Sequence, residues 1–231
     1  YVPTGDYYVV VYQNYVNNSN RYLQARALTV DSSGSITVGS AYQVNGTRKA
    51  QEVTCVYDPD QEKVLIMYTD SESGYQIRTR YVSSSDGSTL SFGSNTTVTS
   101  SGTATALCIA YNEGINKFMM GYKKSDYYRI RIGTSSGSSV SWTSESTVES
   151  NEVDKCMIEA DTTSSFVCYW RDRSGSANNN HPAYRAVSVS GTTPSVGSKT
   201  VMSQEFQGVP RNLLVFDKNE ERFLLSARMD I

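Results

Sequence analysis

The chain has 231 residues, of which 38% are apolar and 19% charged, and its net charge at pH 7 is −2. Lys and Arg are spread along the sequence, which argues against a nucleic-acid partner because binding to the phosphate backbone needs clustered positive charge. The longest apolar runs, such as VLIMY at 64–68, are too short to span a bilayer. We therefore expect neither a nucleic-acid partner nor membrane insertion.

In chain order, the first predicted feature is a polar turn that returns four times. Its glycines are separated by 53, 50 and 54 residues, and each is followed by an apolar position. The glycines are Gly34, Gly87, Gly137 and Gly191, and the apolar positions are Val38, Phe92, Trp142 and Val196. Self-similarity at a fixed period is the signature of a repeat architecture. The pattern predicts a repeated tight turn that leads into a short strand.

Two further landmarks keep the same period. Four apolar runs end in an aromatic residue, which we expect to be buried: Tyr12, Tyr68, Tyr122 and Trp170. An arginine precedes each repeat glycine by six to eight residues: Arg26, Arg80, Arg131 and Arg185. A residue that occurs once per repeat indicates packing rather than catalysis. We expect these arginines to pair with nearby acids such as Asp58, Asp161 or Asp217.

Each repeat contains four strand-like segments, here named A to D. Strand A ends before an Asp or Asn turn, and strand B is apolar throughout. Strand C alternates between residues of the two faces, as in YQIRTRYV at 75–82, and strand D follows the repeat glycine. A continuously apolar strand is typical of burial on both faces, and alternation is typical of a strand with one packed face and one face more exposed to solvent. Neither a two-sheet sandwich nor a parallel β-helix has a period of about 50 residues with four strands.

The predicted fold is therefore all-β, a β-propeller built of four-stranded antiparallel blades with a period of about 50 residues. We interpret residues 1–231 as a single β-propeller segment, an incomplete piece of a larger repeat protein. The predicted units are 1–51 (lacking the first strand), 52–104, 105–153, 154–207 and 208–231 (the first two strands only).

Four cysteines are too few for a disulfide scaffold. Cys55 and Cys108 lie in short apolar segments and are predicted to be buried. Cys156 and Cys168 fall on consecutive predicted strands and could face each other. The sequence leaves open whether they form a disulfide, which would require an oxidising compartment.

No catalytic constellation stands out, and the chain is predicted not to be an enzyme. The SDGST turn at 85–89 partly resembles the Asp-box turn of sialidases, which is structural and remote from their active sites. A glycosidase needs two positioned carboxylates, and no such pair is visible outside the repeat. His181 is the single histidine, so the sequence predicts neither a nucleophile–His site nor a metal site, and no cofactor.

The segment that departs most from the repeat is RDRSGSANNNHP at 171–182, between strands B and C of the fourth unit. Loops on a rigid scaffold commonly carry binding function. Arg171, Arg173, Asn179 and His181 are the predicted ligand-binding residues, because their side chains can hydrogen-bond polar ligands. The alternative interpretation is a solvated, variable loop.

The unit at 57–94, with its KVLIMY, IRTRYV and LSFGS segments, resembles the propeller-type repeats of virion structural and tail-fibre proteins of marine phages, those of cyanobacteria in particular. The resemblance implies an extracellular, virion-associated module for host-surface attachment or particle assembly, without catalysis. Its implied partners are other virion or extracellular structural proteins, host-surface glycans, or further copies of the chain. The matching positions belong to the scaffold, so they assign no functional residue.

Two other classes stay open. A secreted glycan-binding propeller lectin would also be rich in tyrosine, since aromatic faces with polar neighbours suit sugars. Such a lectin should have an equivalent exposed aromatic pocket in several repeats. An extracellular filament or surface-layer protein is the third class, and self-assembly of the isolated chain would favour it.

Overall fold

A computed structural model describes residues 1–17, 20–46, 49–99, 102, 104–174, 181–202 and 213–226. Over these residues the protein is all-β, and its helical content is limited to two three-residue 3-10 turns, Pro3–Gly5 and Ser71–Ser73. The prediction of an almost helix-free chain is confirmed. A helix with the length and apolarity needed to cross a membrane is not found within the described ranges.

In the described ranges the strands form five successive sheets, and within each sheet every pairing is antiparallel. Sheet 1 contains β1 (Tyr8–Asn17), β2 (Asn20–Val30), β3 (Ile36–Val38) and β4 (Tyr42–Gln43). Sheet 2 contains β5 (Ala50–Asp58), β6 (Lys63–Asp70), β7 (Gln76–Ser84), β8 (Leu90–Phe92) and β9 (Thr96–Thr97). Sheet 3 contains β10 (Ala104–Asn112), β11 (Lys117–Lys124), β12 (Tyr127–Ser136), β13 (Ser139–Trp142) and β14 (Ser146–Glu149). Sheet 4 contains β15 (Val153–Ala160), β16 (Ser165–Asp172), β17 (His181–Ser190), β18 (Thr193–Val196) and β19 (Thr200–Val201). Sheet 5 is the hairpin of β20 (Leu213–Asp217) and β21 (Arg222–Ser226).

The fourth strand of each of the first four sheets differs from the prediction because it is broken into two short pieces that both pair with strand C. In sheet 1 the break lies at Gly39, whose N–H donates to the carbonyl of Ala27 while its own carbonyl accepts from Arg26. The same arrangement recurs in the other three sheets at Gly93, Thr143 and Gly197. The repeat arginine thus satisfies a backbone carbonyl that the break leaves without a ladder partner.

That geometry corrects the expected pairing of the repeat arginines with Asp58, Asp161 or Asp217. Those acids instead cap the turn between strands A and B, where a carboxylate oxygen of each accepts the backbone N–H two residues later, at 2.9–3.0 Å. Asn112 does the same in sheet 3. Asp and Asn side chains favour this turn because they mimic a backbone acceptor.

The repeat glycines occupy the turn that the sequence predicted. Gly34, Gly87, Gly137 and Gly191 all have positive φ, between 61° and 83°. A side chain at such a φ places Cβ close to the following carbonyl, so glycine is the residue without that cost.

Two compact units divide the chain, and residues 135–141 belong to the first of them. The first unit contains residues 1–104 and 135–141, and the second contains residues 105–134 and 142–231. The core of the first unit joins sheets 1 and 2 and includes Leu23, Ala25 and Ile66, all fully buried. The core of the second unit includes Tyr128, Phe166 and Trp170. Of the four repeat aromatics, Tyr68, Tyr122 and Trp170 are fully buried as predicted, whereas Tyr12 is half-buried.

The cysteines differ in part from the prediction. Cys108 is buried, but Cys55 is exposed, which corrects the expectation for that residue. All four thiols are free. Across β15 and β16 the neighbour of Cys168 is Ile158 and not Cys156. Burial raises the pKa of both Cys156 and Cys168, so they are inert apolar groups of the core.

Candidate functional site

The predicted site residues that the structure describes lie at one end of sheet 4. Arg171 is in β16, Arg173 follows the end of that strand, and His181 begins β17 directly opposite Asp172. Asn179 lies outside the described residues. Sheet 3 turns at the same point with only residues 125–126, both at positive φ, as a tight hairpin requires. Sheet 4 uses residues 173–180, so its connection is longer by six residues.

Both arginines at this end are engaged by acids from the start of β15. Arg171 Nη2 forms an ion pair with Asp154 Oδ2. Arg173 Nε lies 3.6 Å from Glu152 Oε1, and the Arg173 N–H donates to the Glu152 carbonyl at 3.0 Å. His181 Nδ1 is 3.0 Å from the carbonyl oxygen of Met202, a geometry that requires the proton on Nδ1. The three residues therefore lie at the same end of sheet 4, but His181 pairs with Asp172 and so lies on the opposite face of the sheet from Arg171.

A buried charge cluster, the Asp172 network, lies on the core face of this end of sheet 4. Lys199 Nζ is 2.5 Å from Asp172 Oδ2 and 3.4 Å from Glu149 Oε2. Arg185 Nη2 is also 3.4 Å from Glu149 Oε2. Ser174 donates both its N–H and its hydroxyl to Asp172 Oδ1. The side chains of Asp172 and Glu149 are 0% and 3% exposed.

The network keeps Asp172 ionised. Burial alone would raise the pKa of Asp172, but the hydrogen bonds from Lys199 and Ser174 outweigh it and hold the pKa below its ordinary value. Glu149 Oε1 in turn accepts from the N–H groups of Ser150 and Asn151. The pair of acids thus holds a fixed geometry, and the lowered pKa of Asp172 opposes a role as proton donor. A group of acids, histidines and cysteines able to hold a metal ion is not found in the described part of the chain.

The sequence did not lead us to predict Lys199 as a residue of this site, although its position in the repeat pointed to it. Lys199 stands two residues after the strand-D break, and the equivalent residues of sheets 1 to 3 are Ala41, Asn95 and Glu145. Asn95 Nδ2 donates to Tyr68 at 2.7 Å, and Glu145 accepts from Tyr122 at 2.7 Å. In sheets 2 to 4 this position therefore contacts the repeat aromatic, while its chemistry changes from repeat to repeat.

A cavity of about 310 Å³ adjoins the same end of sheet 4. Its lining residues are Val167, Tyr169, Tyr184, Met202, Leu214 and Phe223. Tyr169 and Tyr184 are cross-strand neighbours, and burial raises the pKa of Tyr169 to about 12. Met202 both lines the cavity and accepts from His181, which connects the cavity to the predicted site.

A second cavity, of about 220 Å³, lies in the first unit and includes Lys63, Tyr81 and Phe92. These residues occupy other repeat positions than those around the sheet 4 cavity. The two cavities are therefore not copies of one repeated aromatic pocket, which was the arrangement expected of a repeat-based lectin.

No protein-family model matches the chain, and no curated protein matches its sequence. Among solved structures, the chain is similar to a crystal structure of a proposed exo-beta-1,3-galactanase from Bifidobacterium bifidum s17. The TM-score is 0.50 and the identity 14%, over 90% of this chain and 70% of that one. At this identity the likeness concerns the fold alone.

Proposed function

We propose that the chain is a segment of a β-propeller and a non-enzymatic binding or structural module of a virion appendage. The propeller is supported by four consecutive meander sheets with matched landmarks. The resemblance to phage fibre repeats supports the extracellular, virion-associated setting. The module attaches the particle to a host surface or joins it to other virion proteins.

The observation that carries the binding role is the end of sheet 4. It combines the long 173–180 connection, the residues Arg171, Arg173 and His181, and the adjoining cavity. The buried charges of the Asp172 network, on the core face of the same strands, are matched by partners, so this end of sheet 4 is a preorganised base for the connection. A preorganised base lowers the cost of ordering a binding surface.

The non-enzymatic role is supported by the state of the acids at this end. Asp154, Glu152, Asp172 and Glu149 each have a cationic partner, and Asp172 is fully buried. The general acid of a glycosidase is a protonated carboxyl that faces the substrate, whereas Asp172 is fully buried and its pKa is lowered.

A second candidate is glycan binding in the sheet 4 cavity. The observation that favours it is the pair Tyr169 and Tyr184, together with Phe223, around a space of about 310 Å³. Aromatic side chains with a polar tip suit the mixed faces of sugars. The neighbour of known structure is named as a galactanase, so a β-1,3-galactan is the first sugar to test.

The test replaces residues 173–180 with Ser-Asp, the connection that sheet 3 uses between β11 and β12. Its matched control shortens 71–75 of sheet 2 to the same Ser-Asp. A separate Tyr184→Ala variant alters the cavity only. Binding is measured on marine cyanobacterial cells and on a glycan array that includes β-1,3-galactan, and released sugar is measured in parallel.

We expect the 173–180 replacement to lose cell binding at least tenfold while the control retains it. Equal binding by both would remove this end of sheet 4 from the proposal. Loss of array binding in Tyr184→Ala alone would favour the glycan candidate. Release of sugar by the unaltered chain would overturn the non-enzymatic role.

A further inference from the structure

The cavity of about 220 Å³ in the first unit combines one cation with hydroxyl groups. The cation is Lys63, and the hydroxyl groups belong to Ser83, Ser91 and Ser138. The register of β6, β7 and β8 places Lys63, Ser83 and Ser91 in one row across the three strands. Side chains of one such row point to the same side of a sheet. The three residues therefore converge on the cavity, and Ser138 approaches it from the turn after Gly137.

Lys63 supplies the positive charge of this cavity. Within the described ranges its ammonium forms no ion pair and lies 6.0 Å from the centroid of the Tyr81 ring, which is a wall of the cavity. Asp58 is the cross-strand neighbour of Lys63 but is not a lining residue. The Asp58 carboxylate is fully buried and accepts from the hydroxyls of Tyr81 and Ser135. The charge of Lys63 is thus available to an anionic ligand.

Sheet 1 shows how the same repeat position is closed elsewhere in the first unit. Tyr7 precedes Tyr12 by five residues, as Lys63 precedes Tyr68. Tyr7 is fully buried, and its hydroxyl accepts the backbone N–H of Ser84 at 2.8 Å. An aromatic ring therefore occupies, in sheet 1, the position that a lysine side chain takes in sheet 2.

The residue after the repeat glycine also approaches the two sheets differently. In sheet 1 a Cβ built on Gly39 would lie 2.7 Å from the carbonyl oxygen of Ser88, which leaves no space between them. In sheet 2 a Cβ on Gly93 would lie 3.3 Å from the carbonyl oxygen of Ser138. The looser approach at Gly93, which itself lines the cavity, leaves room for a ligand in sheet 2.

The lining favours a small, polar and acidic ligand. The volume is below about 300 Å³, the lower end of pockets for drug-sized ligands, so a single sugar unit is the appropriate size. An ammonium group donates to a carboxylate or a sulfate, and serine hydroxyls both donate and accept, as sugar hydroxyls do. The Tyr81 ring adds an apolar wall for the C–H groups of a sugar.

We propose that this cavity binds an acidic sugar unit, a uronate or a sulfated monosaccharide. Its anionic group lies on Lys63, and its hydroxyls contact Ser83, Ser91 and Ser138. The site belongs to the first unit alone and does not depend on the binding role of sheet 4. Because a neutral sugar lacks the group that Lys63 recognises, it binds more weakly.

The experiment titrates the 231-residue chain by isothermal titration calorimetry at constant ionic strength. The probes are glucuronate, galacturonate, galactose 6-sulfate, neutral galactose and inorganic sulfate. Lys63→Gln removes the charge and retains most of the side-chain length, whereas Ser83→Leu fills the cavity and retains the charge. Lys117→Gln is the matched control, since Lys117 begins β11 as Lys63 begins β6, but Thr143 stands there in place of Gly93. Far-UV circular dichroism and thermal unfolding verify that each variant is folded.

We expect the unaltered chain and Lys117→Gln to bind an acidic sugar with a Kd of about 1 mM, and galactose about tenfold more weakly. Lys63→Gln should lose about tenfold in affinity for the acidic sugar and leave galactose binding unchanged, and Ser83→Leu should lose both. Preference for the uronates would assign the carboxylate as the recognised group, and preference for galactose 6-sulfate would assign the sulfate.

Three results would overturn the proposal. The first is that the unaltered chain binds none of the acidic sugars. The second is an equal loss in Lys63→Gln and Lys117→Gln, which would indicate unspecific attraction by positive charge. The third is inorganic sulfate binding as tightly as the preferred acidic sugar, because the hydroxyl contacts would then contribute nothing.

Discussion

Sheets 3 and 4 place opposite charges at the same repeat positions. At the end of strand B, sheet 3 has Lys124 where sheet 4 has Asp172, and after the strand-D break sheet 3 has Glu145 where sheet 4 has Lys199. Both pairs form an ion pair, at 3.2 Å in sheet 3 and 2.5 Å in sheet 4. The repeat therefore preserves the ion pair and exchanges which of the two positions carries the positive charge.

Burial separates the two pairs. The side chains of Lys124 and Glu145 are 31% and 22% exposed, whereas Asp172 is fully buried and Lys199 is 19% exposed. The aromatic beside each pair changes accordingly: Tyr122 donates its hydroxyl to Glu145, and the Trp170 ring lies beneath the Lys199 ammonium at 6.0 Å. The geometry of the repeat determines which residues meet, and burial determines how much each contact contributes to stability.

The largest expected effect on stability comes from removing the repeat aromatic of either sheet. Trp170 and Tyr122 are fully buried, and Trp170 packs edge-on against Tyr128 at 5.8 Å. Trp170→Ala and Tyr122→Ala should each lower the free energy of unfolding by about 3–5 kcal/mol. Tyr127→Ala, at a tyrosine 37% exposed, is the control and should cost under about 1 kcal/mol. Urea unfolding measures all three, and equal losses at Trp170 and Tyr127 would contradict the buried role.

The next test breaks the ion pairs. Lys199→Met leaves Asp172 and Glu149 buried without their shared cation and should cost about 3 kcal/mol. In sheet 3, Glu145→Gln should cost only about 1 kcal/mol, because that pair is partly solvated. The double variant Asp172→Asn, Lys199→Met should be more stable than the sum of its single changes predicts. Strict additivity would show that the two residues are not coupled.

A third test sharpens the comparison at Gly121, whose equivalent in sheet 4 is Tyr169. A Cβ at Gly121 would lie 2.7 Å from Ile158 Cδ1 and 2.7 Å from Tyr128 Cε2, so Gly121→Ala should cost about 1–3 kcal/mol through overpacking. Ile158→Val in the same chain should recover part of that loss. Gly137→Ala meets no atom within 4 Å but has φ +61°, so its cost of about 1 kcal/mol should not respond to Ile158→Val. A similar response in both variants would exclude the steric explanation.

The smallest expected effect is on the pH dependence of the free energy of unfolding. Burial would raise the pKa of Glu145, but the hydrogen bonds from Tyr122 and Lys124 outweigh it, so the pKa is lowered as it is for Asp172. A lowered folded-state pKa contributes stability above the unfolded pKa of about 4, and that stability is lost as the pH falls further. Urea unfolding between pH 7 and 3 should show this loss, and Asp172→Asn should flatten it.

The pKa of Glu159 is shifted in the opposite direction. Burial raises its pKa, so its ionisation opposes folding as the pH rises through the raised value. Glu159→Gln should therefore stabilise the protein at pH 7 and have little effect at pH 4. Destabilisation at pH 7 would contradict this sign.

The sequence by itself determined the repeat and its all-β character, because turn chemistry and strand periodicity are local. The positive φ of the repeat glycines, the Asp and Asn turns after strand A, and the buried Tyr68, Tyr122 and Trp170 all follow from residue type and spacing. The position of Arg171, Arg173 and His181 at one end of sheet 4 also followed from the departure of their loop from the repeat.

Only the tertiary structure decided which side chains meet across strands. The repeat arginines bind the carbonyl at the strand-D break rather than the acids of the turn after strand A, Cys168 lies opposite Ile158, and Lys199 joins Asp172 to Glu149. These contacts join residues that are distant in sequence, and they depend on breaks and shifts of one or two residues. A one-residue change of register moves a side chain to the other face of its sheet, which residue type and spacing alone do not reveal.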